Sequence, residues 1–124
     1  MHELSVALSI VDISEEEAAK VNAAFVEKIE LEIGELAGIE IESLEFVWDA
    51  AVKNTVLEKA EKTIRIIEGI AECMDCNTQF PSTRLFGQCP SCNSMLTNVI
   101  GGKELKINKM VMAKTSRLFS KIQT

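Results

Sequence analysis

The chain has 124 residues, 47% of them hydrophobic, and a formal net charge of −6. That size and composition fit one folded domain, or a domain carrying a small module, and exclude a disordered chain. Residues 1 to 100 hold 18 acidic and 7 basic side chains, whereas residues 101 to 124 hold 6 basic and one acidic. The acidic body disfavours a nucleic-acid reader, and only the tail offers a basic surface.

Residues 4 to 20 read as a helix, with Leu4, Ala7, Leu8 and Val11 at helical spacing, Ile10 widening the apolar face and Glu15 to Glu17 solvated. The N-terminus has no basic leader, and Asp12 interrupts its apolar residues, so no secretory signal is expected. No apolar run approaches the ~20 residues that span a bilayer. Residues 28 to 33, Lys-Ile-Glu-Leu-Glu-Ile, alternate strictly and predict a strand with one wet face. Gly34 and Gly38 punctuate a loop. Ser43 to Lys53 predict a second helix, with Ser43 as its N-cap and Leu44, Val47, Trp48 and Ala51 as its core stripe. Residues 63 to 71 predict a second strand and residues 104 to 112 a third; Lys114 to Thr124 show no clear period.

Between the last two strands lie Cys73-Met-Asp-Cys76 and Cys89-Pro-Ser-Cys92. Each C-x-x-C pair is short enough for both sulfurs to grip one ion, and two such knuckles complete a tetrahedral zinc site. Four thiolates leave no position for water, so the zinc is expected to be structural, and a zinc hydrolase is excluded. Iron in the same pattern, or a redox-active dithiol, are the alternatives. Paired cysteines of this kind also point to a reducing, cytoplasmic compartment. Asn77 and Asn93 each follow the second cysteine of a pair, where a knuckle turns through left-handed backbone that asparagine tolerates. Pro90 pre-sets the second turn. The connecting loop has one basic residue, Arg84; Phe80 and Phe86 are expected to pack the small module.

His2 is the only histidine, and its position gives it chemical meaning. The terminal amine of Met1, the His2 backbone nitrogen and the His2 imidazole close adjoining chelate rings on one ion. Glu3 adds an oxygen or the next backbone nitrogen. Tetragonal sites of nitrogen and oxygen donors suit Ni(II) or Cu(II).

The chain resembles the HypA/HybF hydrogenase maturation proteins, which are nickel metallochaperones. The resemblance rests on Met1-His2-Glu3-Leu-Ser, on Ile33-Gly34-Glu35-Leu36, on the two C-x-x-C pairs and on Gly102-Lys103-Glu104-Leu105-Lys106-Ile107. Their order and spacing span about residues 1 to 112. The resemblance implies nickel at Met1 and His2 with Glu3 in support, and zinc at Cys73, Cys76, Cys89 and Cys92. It implies the maturation GTPase HypB as partner and the large subunit of a [NiFe]-hydrogenase as recipient, with urease maturation in some relatives. It also draws attention to Glu40, which lies where some members carry an acidic residue near nickel.

The expected fold class is α+β: two helices packed on one face of a small mixed three-stranded sheet, with an inserted zinc-ribbon module. The expected division is residues 1–71 plus 100–112 for a nickel-binding domain, 72–99 for the zinc ribbon and 113–124 for a basic tail. The expected function is a non-enzymatic nickel carrier. The competing reading is a zinc-ribbon adaptor for nucleic acid or protein, without a nickel site.

Overall fold

A computed structural model describes residues 3–83 and 87–114. Met1, His2, Arg84, Phe86 and the tail from Thr115 onward lie outside the described residues. Eight elements follow in order: α1 (Glu3–Lys20), β1 (Phe25–Gly34), α2 (Ile41–Val52), β2 (Glu61–Ile67), β3 (Ile70–Cys73), β4 (Gln79–Pro81), β5 (Thr97–Gly101) and β6 (Leu105–Ala113). They build a mixed sheet of order β2-β1-β6 and a second sheet of order β4-β3-β5. The fold is the expected α+β arrangement, with the cysteine module entering the chain before the last strand. By contact the chain divides into two compact units. Among the described residues, one comprises 3–31, 40–63 and 107–114; the other comprises 32–39, 64–83 and 87–106.

In the first unit, α1 and α2 pack side by side and run the same way. The Glu40 N–H donates to Glu3 Oε2 (3.0 Å) where both helices begin. The Val56 N–H donates to Glu15 Oε2 (3.0 Å) just past the end of α2. The buried stripe of α1 is Val6, Ala7, Ile10, Val11, Ser14 and Ala18. Leu4 and Leu8, expected in the core, are exposed instead. The stripe also contains a serine: the Ser14 hydroxyl donates to the Ile10 carbonyl at 2.7 Å, which makes burial of that polar group tolerable. In α2 the buried residues are Leu44, Trp48, Ala51 and Val52, so tryptophan belongs to the core as expected. Lys62 lies over the Trp48 ring, 5.0 Å from its centroid, and pairs with Glu45.

The expected cap of α2 is corrected. The N-cap is Glu40, with no side-chain cap of its own, and Ser43 sits within the first turn. The Glu3 carboxylate takes the Glu40 N–H and sets a negative charge at the helix N-terminus, where the dipole favours it. The helices are followed by left-handed asparagines, Asn22 at φ 56 and Asn54 at φ 63.

β1 and β2 run in the same direction. Val26 N–H meets Val56 O (2.9 Å) at the start of β1, and Glu35 N–H meets Ile67 O (2.9 Å) at its end. β6 runs the other way, with Ala24 N–H on Ala113 O (2.7 Å) and Gly34 N–H on Glu104 O (2.7 Å). Ile29, Leu31 and Ile33 are buried, as the alternation predicts. The opposite face is less wet than expected, because Glu32 is also buried. Its carboxylate lies 3.4 Å from Arg65 Nη1 on β2 and 3.4 Å from Lys106 Nζ on β6. A buried carboxylate persists only with such partners.

In the second unit, the single strand expected over residues 63 to 71 is two strands. The break falls at Gly69, whose N–H donates to Glu35 Oε1 at 2.7 Å. Ile70 then opens β3, which pairs antiparallel with β4 (Ala71 opposite Phe80) and with β5 (Cys73 opposite Thr97). Two further glycines fix this junction. A Cβ on Gly34 would lie 2.0 Å from the Gly102 carbonyl oxygen, and one on Gly102, at φ +98, would lie 2.4 Å from Gly69 Cα. Main chain touches main chain there, so no side chain fits.

Candidate metal centre

Each cysteine pair forms a tight turn of the same design. At the end of β3 the Cys73 N–H donates to Thr78 O and the Asn77 N–H to Cys73 O, both at 2.9 Å. In the second pair the Cys89 N–H donates to Ser94 O and the Asn93 N–H to Cys89 O, again at 2.9 Å. Asn77 and Asn93 both have φ 63, which is the left-handed turn expected from their positions.

Inside each turn, backbone N–H groups converge on the first sulfur. Asp75 and Cys76 N–H approach Cys73 Sγ at 3.3 and 3.4 Å, and Ser91 N–H approaches Cys89 Sγ at 3.4 Å. Cys73 and Cys89 are buried and Cys76 and Cys92 exposed. Ala71 and Phe80 complete the small core around the buried pair. Phe80 therefore packs the module as expected, while Arg84 and Phe86 lie outside the described residues.

The two turns face each other. Cys73 Sγ is 3.5 Å from Cys92 Sγ, Cys76 Sγ is 3.6 Å from Cys89 Sγ, and all four ligand atoms lie within 4.8 Å of one another. A tetrahedron with Zn–S bonds of about 2.3 Å has edges of about 3.8 Å. The donor set and its spacing fit zinc. Among the described residues Phe80 is the one large apolar side chain of this small core, worth about 1.5–3 kcal/mol, and cross-linking by a cation would add to that cohesion.

Electrostatics makes the same point. The Cys76 thiol is held down, from 9.0 to about 6, first by the Thr78 hydroxyl and then by the Thr78 backbone; Cys76 Sγ and Thr78 Oγ1 are 3.1 Å apart. The Ser94 backbone favours the Cys92 thiolate, but the Cys73 side chain, desolvation and the other two sulfurs outweigh it and push Cys92 up to about 12. One sulfur ionises readily; the next would set a second negative charge beside the first. A divalent cation bound by these sulfurs would remove that conflict between Cys76 and Cys92.

Thr78 and Ser94 were not singled out from the sequence, although a signal was there. Both cysteine pairs continue identically in type, Cys76-Asn77-Thr78 and Cys92-Asn93-Ser94. The hydroxyl residue closes each turn through its carbonyl, and the Ser94 hydroxyl reaches across to Asp75 Oδ2 at 2.5 Å.

Of the N-terminal candidates, Met1 and His2 lie outside the described residues. Glu3 opens α1, and its carboxylate receives the Glu40 N–H. This contact brings together two residues that the sequence separates by 37 positions.

Residues 1–112 match the family model described as "Hydrogenase/urease nickel incorporation, metallochaperone, hypA". The chain belongs to the HypA family. It is 49% identical over 114 residues to the hydrogenase maturation factor HypA of Parabacteroides distasonis, covering 92% of this chain and 99% of that one. It is 42% identical over 112 residues to the HypA of Chlorobium phaeobacteroides, covering 90% and 99%. It also matches the solution structure of the Ni metallochaperone HypA from Helicobacter pylori, with a TM-score of 0.68, 26% identity and coverage of 93% of this chain and 100% of that one. As a HypA-family member the chain is a nickel-incorporation metallochaperone for hydrogenase maturation, with a four-cysteine centre suited to zinc. The matched region ends at residue 112, so the basic segment after it lies outside the family pattern.

Proposed function

We propose that this HypA-family chain binds Ni(II) at its N-terminus through Met1, His2 and Glu3, and holds a structural zinc at Cys73, Cys76, Cys89 and Cys92. In this reading it passes nickel to the hydrogenase maturation machinery, with HypB as GTPase partner and the [NiFe]-hydrogenase large subunit as recipient. It works in the cytoplasm, where its thiols stay reduced. Among the described residues no helix is long and apolar enough to cross a membrane. The chain catalyses no covalent chemistry: nickel leaves by ligand exchange.

The observation that carries the nickel reading is the contact of Glu3 with Glu40. It draws the start of α1 to the start of α2, beside an additional carboxylate at residue 40. The amine of Met1, the backbone nitrogen and imidazole of His2 and one further donor supply the nitrogen-rich set that Ni(II) favours. Copper binds such donors more tightly than nickel, so selectivity comes from partners and metal availability.

The test is nickel titration of three proteins: the chain starting at Met1, the same chain extended by one Gly, and His2→Ala. The extension turns a basic amine into an amide, and the substitution removes the imidazole. Both changes should abolish tight nickel binding and leave zinc content unchanged. Nickel binding should also fade in mild acid, as protons compete for an imidazole with a free pKa of about 6.5. Undiminished binding by the extended protein would rule out the amine as a ligand.

A further inference from the structure

The cysteine module carries a surface that the metal centre does not use. Met74, Met95 and Leu96 are 62%, 68% and 63% exposed, and Ile100 is 47% exposed. Met74 and Leu96 come from different parts of the chain and meet across the β3–β5 pair, with Met95 next to Leu96 in sequence. Met74 N–H donates to Leu96 O at 2.7 Å, which continues the β3–β5 pairing by one position beyond Cys73 and Thr97. Directly opposed residues share a face. Along β5 the burial alternates, leaving Leu96, Asn98 and Ile100 exposed together.

The platform is held in shape. The Ser94 hydroxyl donates to Asp75 Oδ2 at 2.5 Å and accepts the Leu96 N–H at 3.0 Å. The turn bearing Met74 and the segment bearing Met95 and Leu96 are thereby joined before any partner arrives, which lowers the ordering cost of binding. Methionine suits such a surface, because its flexible, polarisable side chain adapts to varied apolar partners and is enriched at interfaces.

Charge selects the partner. Residues 70 to 101 contain Glu72 and Asp75 against the single cation Arg84. Asp75 lies between Met74 and the exposed Cys76. An apolar patch in a negative field favours cationic partners and disfavours acidic ones.

We propose that Met74, Met95, Leu96 and Ile100 form a docking surface for a partner polypeptide segment that presents apolar side chains beside lysine or arginine. The surface stands on exposed side chains and carboxylates, so it does not depend on nickel at the N-terminus.

The test uses the full chain, isotope-labelled and with its metal content measured. The probes are a synthetic peptide alternating leucine and lysine and a control with glutamate in place of lysine. The lysine peptide should shift the methyl and amide resonances of Met74, Met95, Leu96 and Ile100, and its binding should weaken as salt is raised. The glutamate peptide should bind at least tenfold more weakly. The double variant Met74→Gln, Met95→Gln should lose at least tenfold in affinity at unchanged metal content. Leu96→Asn, outside both cysteine turns, should weaken binding in the same direction at unchanged metal content. Shifts centred instead on Glu42, Glu45 and Asp49 of α2, equal affinity for both peptides, or unchanged binding in Leu96→Asn would overturn the proposal. Concentration-dependent shifts of these residues without peptide would also overturn it, by identifying a second copy of the chain as the occupant.

Discussion

The cysteine centre and the N-terminal segment are two candidate metal sites built on opposite plans. Around the cysteines, two hydrogen-bonded turns, two left-handed asparagines and converging N–H groups fix the sulfurs before a metal arrives. At the N-terminus the ligands proposed for nickel lie at and beside the chain end, and the described contact is a side chain, Glu3, reaching the start of α2. A prearranged set of four thiolates that fills every position on an ion would retain it. Donors at a chain end exchange theirs. If the proposed nickel ligands hold, one small protein joins a site suited to keeping a metal with one suited to giving a metal away.

The most damaging way to break that contrast is to remove a sulfur. Cys76→Ser should cost the zinc and unfold residues 72 to 99, while α1, α2 and the strands beside them survive. Metal analysis together with amide hydrogen exchange would check this; a fully zinc-loaded, natively folded variant would refute the four-cysteine assignment. A smaller effect is expected at Asn93. Asn93→Ala forces an ordinary side chain into left-handed backbone and should destabilise the cysteine module by about 1–2 kcal/mol. Asn93→Gly should restore most of the loss. The readout is the chelator concentration needed to strip the metal; alanine and glycine behaving alike would mean that the turn relaxes. The smallest expected effect sharpens the N-terminal side. Glu3→Ala removes the acceptor of the Glu40 N–H and should cost about 0.5–1.5 kcal/mol, while Glu3→Gln retains an acceptor. Nickel affinity should fall more in alanine than in glutamine, at constant zinc content. Equal nickel affinities for both variants would remove the clasp from the account of that site.

Features carried by local chemistry were legible in the sequence. The cysteine spacing gave the ligand cluster, and the asparagines after each pair gave its turns. The Lys28–Ile33 alternation gave β1, and the order of short motifs gave the family. What was not legible came from contacts distant in sequence. Nothing near Ser43 discloses that the N-terminus of α2 is served by Glu3. Leu4 and Leu8 are exposed while Ser14 is buried with its hydroxyl satisfied by its own helix, a polar residue within an apolar phase. Glu32 reads as a wet-face charge until Arg65 and Lys106 are brought alongside by neighbouring strands. The break at Gly69 depends on other backbone segments pressing on it, which a run rich in isoleucine conceals.

The glycine junction sets terms for exchanging the cysteine module between related chains. Gly34, Gly69 and Gly102 meet as bare backbone, and they lie on both sides of the inserted segment. A transplanted module must therefore bring its own equivalents of Gly69 and Gly102, and the recipient must already have a glycine at position 34. A graft cut inside those limits would keep all four cysteines and still fail to seat. The smallest transferable unit is consequently defined by where the main chain touches itself, some distance from the metal ligands.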